Sequence, residues 1–152
     1  MACVYLLVGT NQGALRTNIE KALESLQNNG ITVMKKSRMS STKPWGNTEQ
    51  PDFLNVAVEV ETDYDPVRLL SIIKSVEGQL GRKRDDVRWG PRIIDIDILF
   101  YEDRVITTKD LTVPHREFLN RPFAIQLMAD IAPGFIHPCT QRPVRDYLES
   151  RA

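Results

Sequence analysis

Residues 94–101 read Ile-Asp-Ile-Asp-Ile-Leu-Phe-Tyr. Ile94, Ile96 and Ile98 alternate with Asp95 and Asp97, and a period of two marks a β-strand with one face turned to a core. Upstream lies a helix with its own start and stop signals. Asp65 is a natural N-cap, Pro66 occupies the first helical position and Gly81 falls just past the end. Leu69, Ile73, Val76 and Leu80 form its apolar seam. Before it, Leu54, Val56, Val58 and Val60 alternate with Asn55, Glu59 and Glu61 as a further strand. Earlier still come a weaker, more polar strand from Ile31 to Met39 and a helix carrying Leu15, Ile19, Ala22, Leu23 and Leu26. The chain opens with Cys3 to Val8, an apolar run suited to a strand buried on both faces, and a Gly-Thr-Asn-Gln-Gly turn follows it. The order strand, helix, strand, strand, helix, strand predicts an α+β fold, the ferredoxin-like βαββαβ sandwich with both helices on one face. C-terminal helical additions are expected near Phe123–Ile131 and Val144–Ser150.

The chain has 152 residues, 41% hydrophobic and 26% charged, so one core and one domain over 1–152 are expected. Twenty basic side chains balance twenty acidic ones, which argues against a general nucleic-acid or membrane-surface binder. No run is long and apolar enough to span a bilayer, and the start reads as a strand, not a signal peptide. Cys3 and Cys139 are too few for a disulfide scaffold or a zinc site. A cytoplasmic, free-standing monomer is the expectation.

Asp95 and Asp97 stand at i and i+2, so both carboxylates project from one face. Two carboxylates this close repel each other, which a bridging cation relieves, and hard oxygen donors without Cys or His favour magnesium. The preceding loop, Gly81 to Ile93, supplies Arg82, Lys83, Arg84, Arg88 and Arg92. Acids that hold a metal beside arginines that grip phosphate oxygens are the parts of phosphoryl-type transfer. A second long connection, Ser40 to Asp52, precedes a strand that carries Phe53 and Asn55 on the face opposite its aliphatic set. A flat ring and an amide two residues apart suit a heterocycle, the ring by stacking and the amide at its edge. Phe53 packing under its own loop is the plainer alternative. Glu77 lies beside the apolar seam of its helix and either snorkels outward or pairs with a buried arginine.

Trp89-Gly-Pro-Arg-Ile-Ile-Asp-Ile-Asp-Ile-Leu99 resembles the signature of the 6-hydroxymethyl-7,8-dihydropterin pyrophosphokinase family of folate biosynthesis. Gly9-Thr10-Asn11, Gln50 to Asn55, Leu111 to His115, Arg121 to Phe123 and Ile131 to Pro133 resemble that family's other motifs in the same order. The resemblance implies transfer of the β,γ-pyrophosphoryl group of ATP to the pterin hydroxymethyl oxygen, with release of AMP. It places two Mg2+ ions on Asp95 and Asp97. Arg82, Arg84, Arg88, Arg92, His115 and Arg121 would contact the triphosphate or ribose, with Glu77, Ile98 and Thr112 also on the nucleotide side. Arg82 and Arg92 would share the catalytic role with the two aspartates. Phe53 and Phe123 would sandwich the pterin and Asn55 would hold its edge. Thr42, Lys43, Pro44, Trp45 and Gly46 would complete that pocket, Asp95 would border it, and Trp89 would close over both substrates. Position 53 is Phe where tyrosine is common in the family, which keeps the stacking surface and loses a hydroxyl.

No convincing general base is apparent, and metal activation of the hydroxyl, aided by Asp97, is the preferred expectation. Two rival readings differ in kind. An RNA-recognition domain shares this sheet, but acids at Asp95 and Asp97 would repel a phosphate backbone. A metal-dependent nucleotide enzyme with another acceptor is opposed only by the Phe53–Asn55 strand and the Thr42–Gly46 loop.

Overall fold

The computed structural model describes residues 1–44, 49–82 and 93–149. Its main sheet contains β1 (Ala2–Thr10), β2 (Ile31–Lys36), β3 (Ser40–Thr42), β4 (Phe53–Thr62) and β5 (Asp95–Tyr101). The order across it is β2-β4-β1-β5, with β3 also on β4 and every pairing antiparallel. With α1 (Leu15–Asn28) and α2 (Pro66–Gln79), this is the expected βαββαβ arrangement. The remainder holds a small hairpin of β6 (Ile106–Thr107) and β7 (Thr112–Val113), then α3 (Pro122–Ile131) and the single turn α4 (Asp146–Glu149).

Strand alternation sorts the core into two layers. Val4, Leu6 and Val8 of β1, Val56, Val58 and Val60 of β4, and Ile96 and Ile98 of β5 meet α1 and α2 on one face. Tyr5, Leu7, Ala57, Leu99 and Phe100 meet Ala124, Ile125, Leu127 and Met128 of α3 on the other. Both faces of β1 are therefore buried, as its unbroken apolar run requires. The second helix begins as read: the Asp65 carboxylate accepts the Arg68 N–H at 2.8 Å, with Pro66 in the first turn.

Four boundaries differ from the sequence reading. Gly9 and Thr10 are the end of β1, not a turn: both pair with β4, and Gly9 also pairs with β5. The polar second strand stops at Lys36 instead of Met39. Ser37 interrupts it: its hydroxyl accepts the Ala57 N–H at 2.9 Å, a bond a backbone carbonyl would make in an unbroken ladder. The segment rejoins β4 at Ser40–Thr42 with its pairing slipped, so Lys36 faces Val58 while Ser40 faces Asn55. The connection read as Ser40 to Asp52 thus begins with a short strand. The helical piece read over Val144–Ser150 is confined to Asp146–Glu149 among the described residues.

Candidate active site

The face of the sheet that carries α3 has a gap in its apolar cover at one end of the strands. Gly9 on β1 lies there between Asn55 on β4 and Asp95 on β5, its partners in the two ladders. A Cβ at Gly9 would stand 2.7 Å from Asn55 Oδ1, so the absent side chain is what lets the amide lie across β1. Asn55 is buried, and its Nδ2 donates to Thr42 Oγ1 at 2.8 Å. The β3–β4 pairing thereby fixes which way the amide points. Gly9→Ala is expected to cost about 1–3 kcal/mol of stability through this collision, measured by urea denaturation. An unchanged midpoint would mean that Asn55 moves freely.

A cavity opens above this floor. Phe53, Asn55, Thr42 and Lys43 line one side; Phe123 and Arg121 come from the start of α3; Asp95 and Asp97 close the third side. The alternation in β5 points both carboxylates into it, while Ile96 and Ile98 sink into the other core layer. Two further clefts adjoin through Asp97. One runs along α2 past Glu77 and Arg82, and the other runs past Ile98, Thr112 and His115.

Charge in this region is tightly partnered. Arg82 donates at 2.7 Å both to Glu77 Oε2 and to Asp95 Oδ1. The same Glu77 oxygen accepts the Ile96 backbone N–H at 2.8 Å. The Glu77 carboxylate therefore pairs with an arginine, which decides between the two alternatives read from sequence. Burial raises the Glu77 pKa against the opposing pull of the Ile96 N–H and Arg82. Burial alone would lower the Arg82 guanidinium, but Asp95 and Glu77 outweigh it and hold the cation firmly charged. Asp97 Oδ2 lies 3.9 Å from both His115 Nε2 and Arg121 Nη1. Burial, then the neighbouring Asp95 charge, raises the Asp97 pKa in spite of Arg121.

His115 is neutral at pH 7, since burial and Arg121 push it down to about 4. Its Nδ1 accepts the Glu117 N–H at 3.1 Å, so the ring proton resides on Nε2, the atom facing Asp97. His115 thus offers a hydrogen-bond donor here, not a cation.

The donor set suits a hard divalent cation. Asp95 and Asp97 are side by side and partly exposed, and burial together with the Asp95 charge holds Asp97 toward its protonated form, which a bound cation would offset. Among the described residues no group of three His, Cys, Asp or Glu side chains could hold a metal. The two aspartates would need oxygens from a ligand, such as phosphates, to complete a coordination shell.

The structure brings Thr42, Lys43, Phe53, Asn55, Asp95, Asp97, Arg121 and Phe123 around one cavity, and Glu77, Arg82, Ile98, Thr112 and His115 around its two neighbours. Pro44 is half-buried next to Lys43. Trp45, Gly46, Arg84, Arg88, Trp89 and Arg92 lie outside the described residues. Sequence reading missed Gly9 as the floor of the site, and the near-glycine-free β1 strand was the available signal. It also missed the anchoring done by Thr10 and Asn11, both buried. Thr10 Oγ1 donates to the Ile93 carbonyl at 2.6 Å. Asn11 Nδ2 donates to Gln50 Oε1 at 2.8 Å and to the Pro51 carbonyl at 3.0 Å. These bonds fix the points where the chain enters β4 and β5.

Residues 5–133 match the family model for 7,8-dihydro-6-hydroxymethylpterin-pyrophosphokinase. The 2-amino-4-hydroxy-6-hydroxymethyldihydropteridine pyrophosphokinase of Aquifex aeolicus is 42% identical over 97% of this chain and 91% of its own length. The enzyme of the same name from Methylorubrum extorquens is 41% identical over 90% of this chain and 86% of its own. In fold, 99% of the chain superposes on 42% of the wild-type HPPK-DHPS of Plasmodium falciparum crystallised with pteroate, with TM-score 0.80 at 16% identity.

Proposed function

Because the chain belongs to the 7,8-dihydro-6-hydroxymethylpterin-pyrophosphokinase family, we infer that it is an ATP-dependent diphosphotransferase of folate synthesis. It moves the β,γ-pyrophosphoryl group of ATP onto the hydroxymethyl oxygen of 6-hydroxymethyl-7,8-dihydropterin and releases AMP. One observation carries this reading at the level of the site: a single cavity joins two phenylalanines and a buried amide to two aspartates and an arginine. The first set suits a flat, hydrogen-bonding heterocycle and the second suits a polyphosphate.

Phe53 and Phe123 would stack the pterin between them, with Asn55 at its edge and Thr42, Lys43 and Pro44 along its border. With one Nδ2 hydrogen on Thr42, Asn55 would offer Oδ1 to a ring N–H of the pterin. Trp45 and Gly46 would complete that border and Trp89 would cover it. Asp95 and Asp97 would hold two Mg2+ ions. Bound there, the ions would neutralise phosphate charge and lower the pKa of the pterin hydroxyl.

In the transfer itself the hydroxymethyl oxygen bonds to the β-phosphorus, the bond from that phosphorus to the α,β-bridging oxygen breaks, and AMP leaves with the bonding pair. Arg82 and Arg121 supply fixed positive charge where it accumulates, and Arg92 would join them. His115 Nε2–H donates without adding charge, and Arg84 and Arg88 would engage the triphosphate from the 83–92 segment. Ile98 and Thr112 would border the nucleoside. Metal activation of the hydroxyl would drive its deprotonation, with Asp97 as the carboxylate that aids it. Glu77 acts by holding Arg82 and the β5 backbone. The same reading takes the chain as one domain and a cytoplasmic monomer. Among the described residues no helix is long and apolar enough to cross a membrane.

Product analysis with ATP, magnesium and 6-hydroxymethyl-7,8-dihydropterin tests the reaction. AMP is expected only when the pterin is present. ADP instead would replace the reaction with simple phosphoryl transfer, and no turnover by folded, ATP-bound protein would point to another acceptor.

A further inference from the structure

We infer that Lys74 is an additional nucleotide-binding cation, directed at the β,γ-phosphates and not at the nucleoside. The inference rests on the ATP-dependent reading above and adds a residue to it. Lys74 is exposed on α2 and lines the same cleft as Arg82, Asp95 and Asp97. It lies four residues after Leu70 and three before Glu77, and both of these also border that cleft, so the helical repeat puts it on the site-facing stripe. No acidic side chain pairs with it among the described residues. A lysine on an exposed helix is ordinarily a solvated charge; here it overlooks the two carboxylates proposed to carry the phosphate-bound metal.

Gly78 offers a probe of the same cleft. It sits inside α2, four residues after Lys74, and lines the same cleft. Glycine weakens a helix relative to alanine, so a helical glycine needs a reason. Gly78 has no left-handed backbone, and a Cβ added to it would meet nothing within 4 Å. Neither a turn nor a close packing contact calls for it. A side chain at position 78 would project into open space on the cleft wall beside Lys74, so a bulky substitution there probes whether that wall meets the nucleotide.

The two clefts meet at Asp97, and Lys74, Arg82 and Asp95 border this one alone. The cleft past β7 has Ile98, Leu111 and Thr112 along one wall, an apolar edge suited to a flat base, with His115, Arg116 and Arg121 along the rest. The cleft past Lys74 has Arg82 and both aspartates along it, a charged surface suited to phosphates and their metal.

The test is calorimetric binding of MgATP and of AMP to the full chain, paired with steady-state kinetics. Lys74→Ala is expected to weaken MgATP roughly tenfold, the worth of one charge-assisted contact, and to leave AMP within about twofold, since AMP lacks the contacted phosphates. The KM for ATP should rise in step while kcat falls by less than about threefold, and Lys74→Arg should restore binding. Lys36→Ala, which removes the same charge from the far edge strand, should bind MgATP as the wild type does. Gly78→Leu should weaken MgATP without loss of thermal stability. If the wild-type chain fails to release AMP, the functional reading falls and this inference falls with it. If the wild type releases AMP but Lys74→Ala binds MgATP normally, or loses ATP and AMP equally, this inference alone is overturned.

Discussion

Replacing Asp97 by alanine lowers turnover on the order of a hundred- to a thousandfold, and replacing it by asparagine makes the ligand-free protein more stable at neutral pH. The two outcomes share one cause. Burial and the adjacent Asp95 charge raise the folded-state pKa of Asp97 above its ordinary 3.8. Between the ordinary and the raised value the folded chain binds more protons at this position than the unfolded chain does. Stability at this site is therefore greatest in acid and falls as pH rises through that window. At pH 7, inside that window, the folded chain keeps at Asp97 a proton that the unfolded chain gives up, which opposes folding, and the isosteric Asp97→Asn removes the penalty without leaving a cavity. Thermal melts should show the variant above the wild type at pH 7, with the gap closing toward pH 4. Magnesium and ATP together should reverse the order, because only the wild type offers both carboxylates to the dication. A variant that keeps more than about a tenth of wild-type turnover, or one that melts below the wild type at pH 7 without ligand, would sink the account of Asp97 as a metal-holding, destabilised carboxylate.

Such a trade also explains what could be read from the chain. Asp95 and Asp97 were visible because they break the cost of burying charge in a strand whose other face is plainly apolar, and a feature that costs stability needs a reason. Phe53 and Asn55 were visible for the same cause, standing on the polar side of β4. The main α+β elements followed from periodicity and caps, of which the Asp65 N-cap, with Pro66 behind it, is the clearest. Position-specific backbone events were not legible. No side-chain pattern announces that Ser37 takes over a ladder bond, so β2 was read past its end. Gly9 reads as a turn glycine because sequence alone does not distinguish a glycine that bends the chain from one that admits a neighbour's amide. Glu77 stood on the page with two fates, and only Arg82 at 2.7 Å chose between them. The family resemblance supplied roles for His115 and Arg121 that periodicity could not, since both lie in the irregular C-terminal part. Lys74 and Gly78 were passed over because a lysine and a glycine on a helix carry no anomaly until the cleft beside them is seen.

Glu77→Ala is expected to cost about 2–4 kcal/mol of stability, read from urea denaturation, and the origin of that loss can be separated. Two donors converge on one oxygen. Glu77 Oε2 accepts from Arg82 and from the backbone of Ile96, and Arg82 continues to Asp95. Alanine leaves the Ile96 N–H, on an edge strand already committed to Glu77, without its acceptor. It also leaves Arg82 with Asp95 alone. Glu77→Gln separates these effects, since its amide oxygen still accepts the Ile96 N–H while the charge is gone. Burial works against the Glu77 charge, as its raised pKa records, so ionisation adds nothing to stability and the hydrogen bond dominates. Glutamine should therefore recover more than half of the stability lost on alanine substitution. Activity should not recover in parallel. With Glu77 neutral, Arg82 has a single carboxylate partner and binds Asp95 more tightly, in competition with a dication at the same oxygens. Half-saturation by magnesium should shift several-fold upward in Glu77→Gln, at nearly wild-type stability. Equal destabilisation by glutamine and alanine would place the energy in the ion pair. An unshifted magnesium requirement would mean that Arg82 does not compete at Asp95, and that Glu77 holds β5 against α2 without any bearing on the metal site.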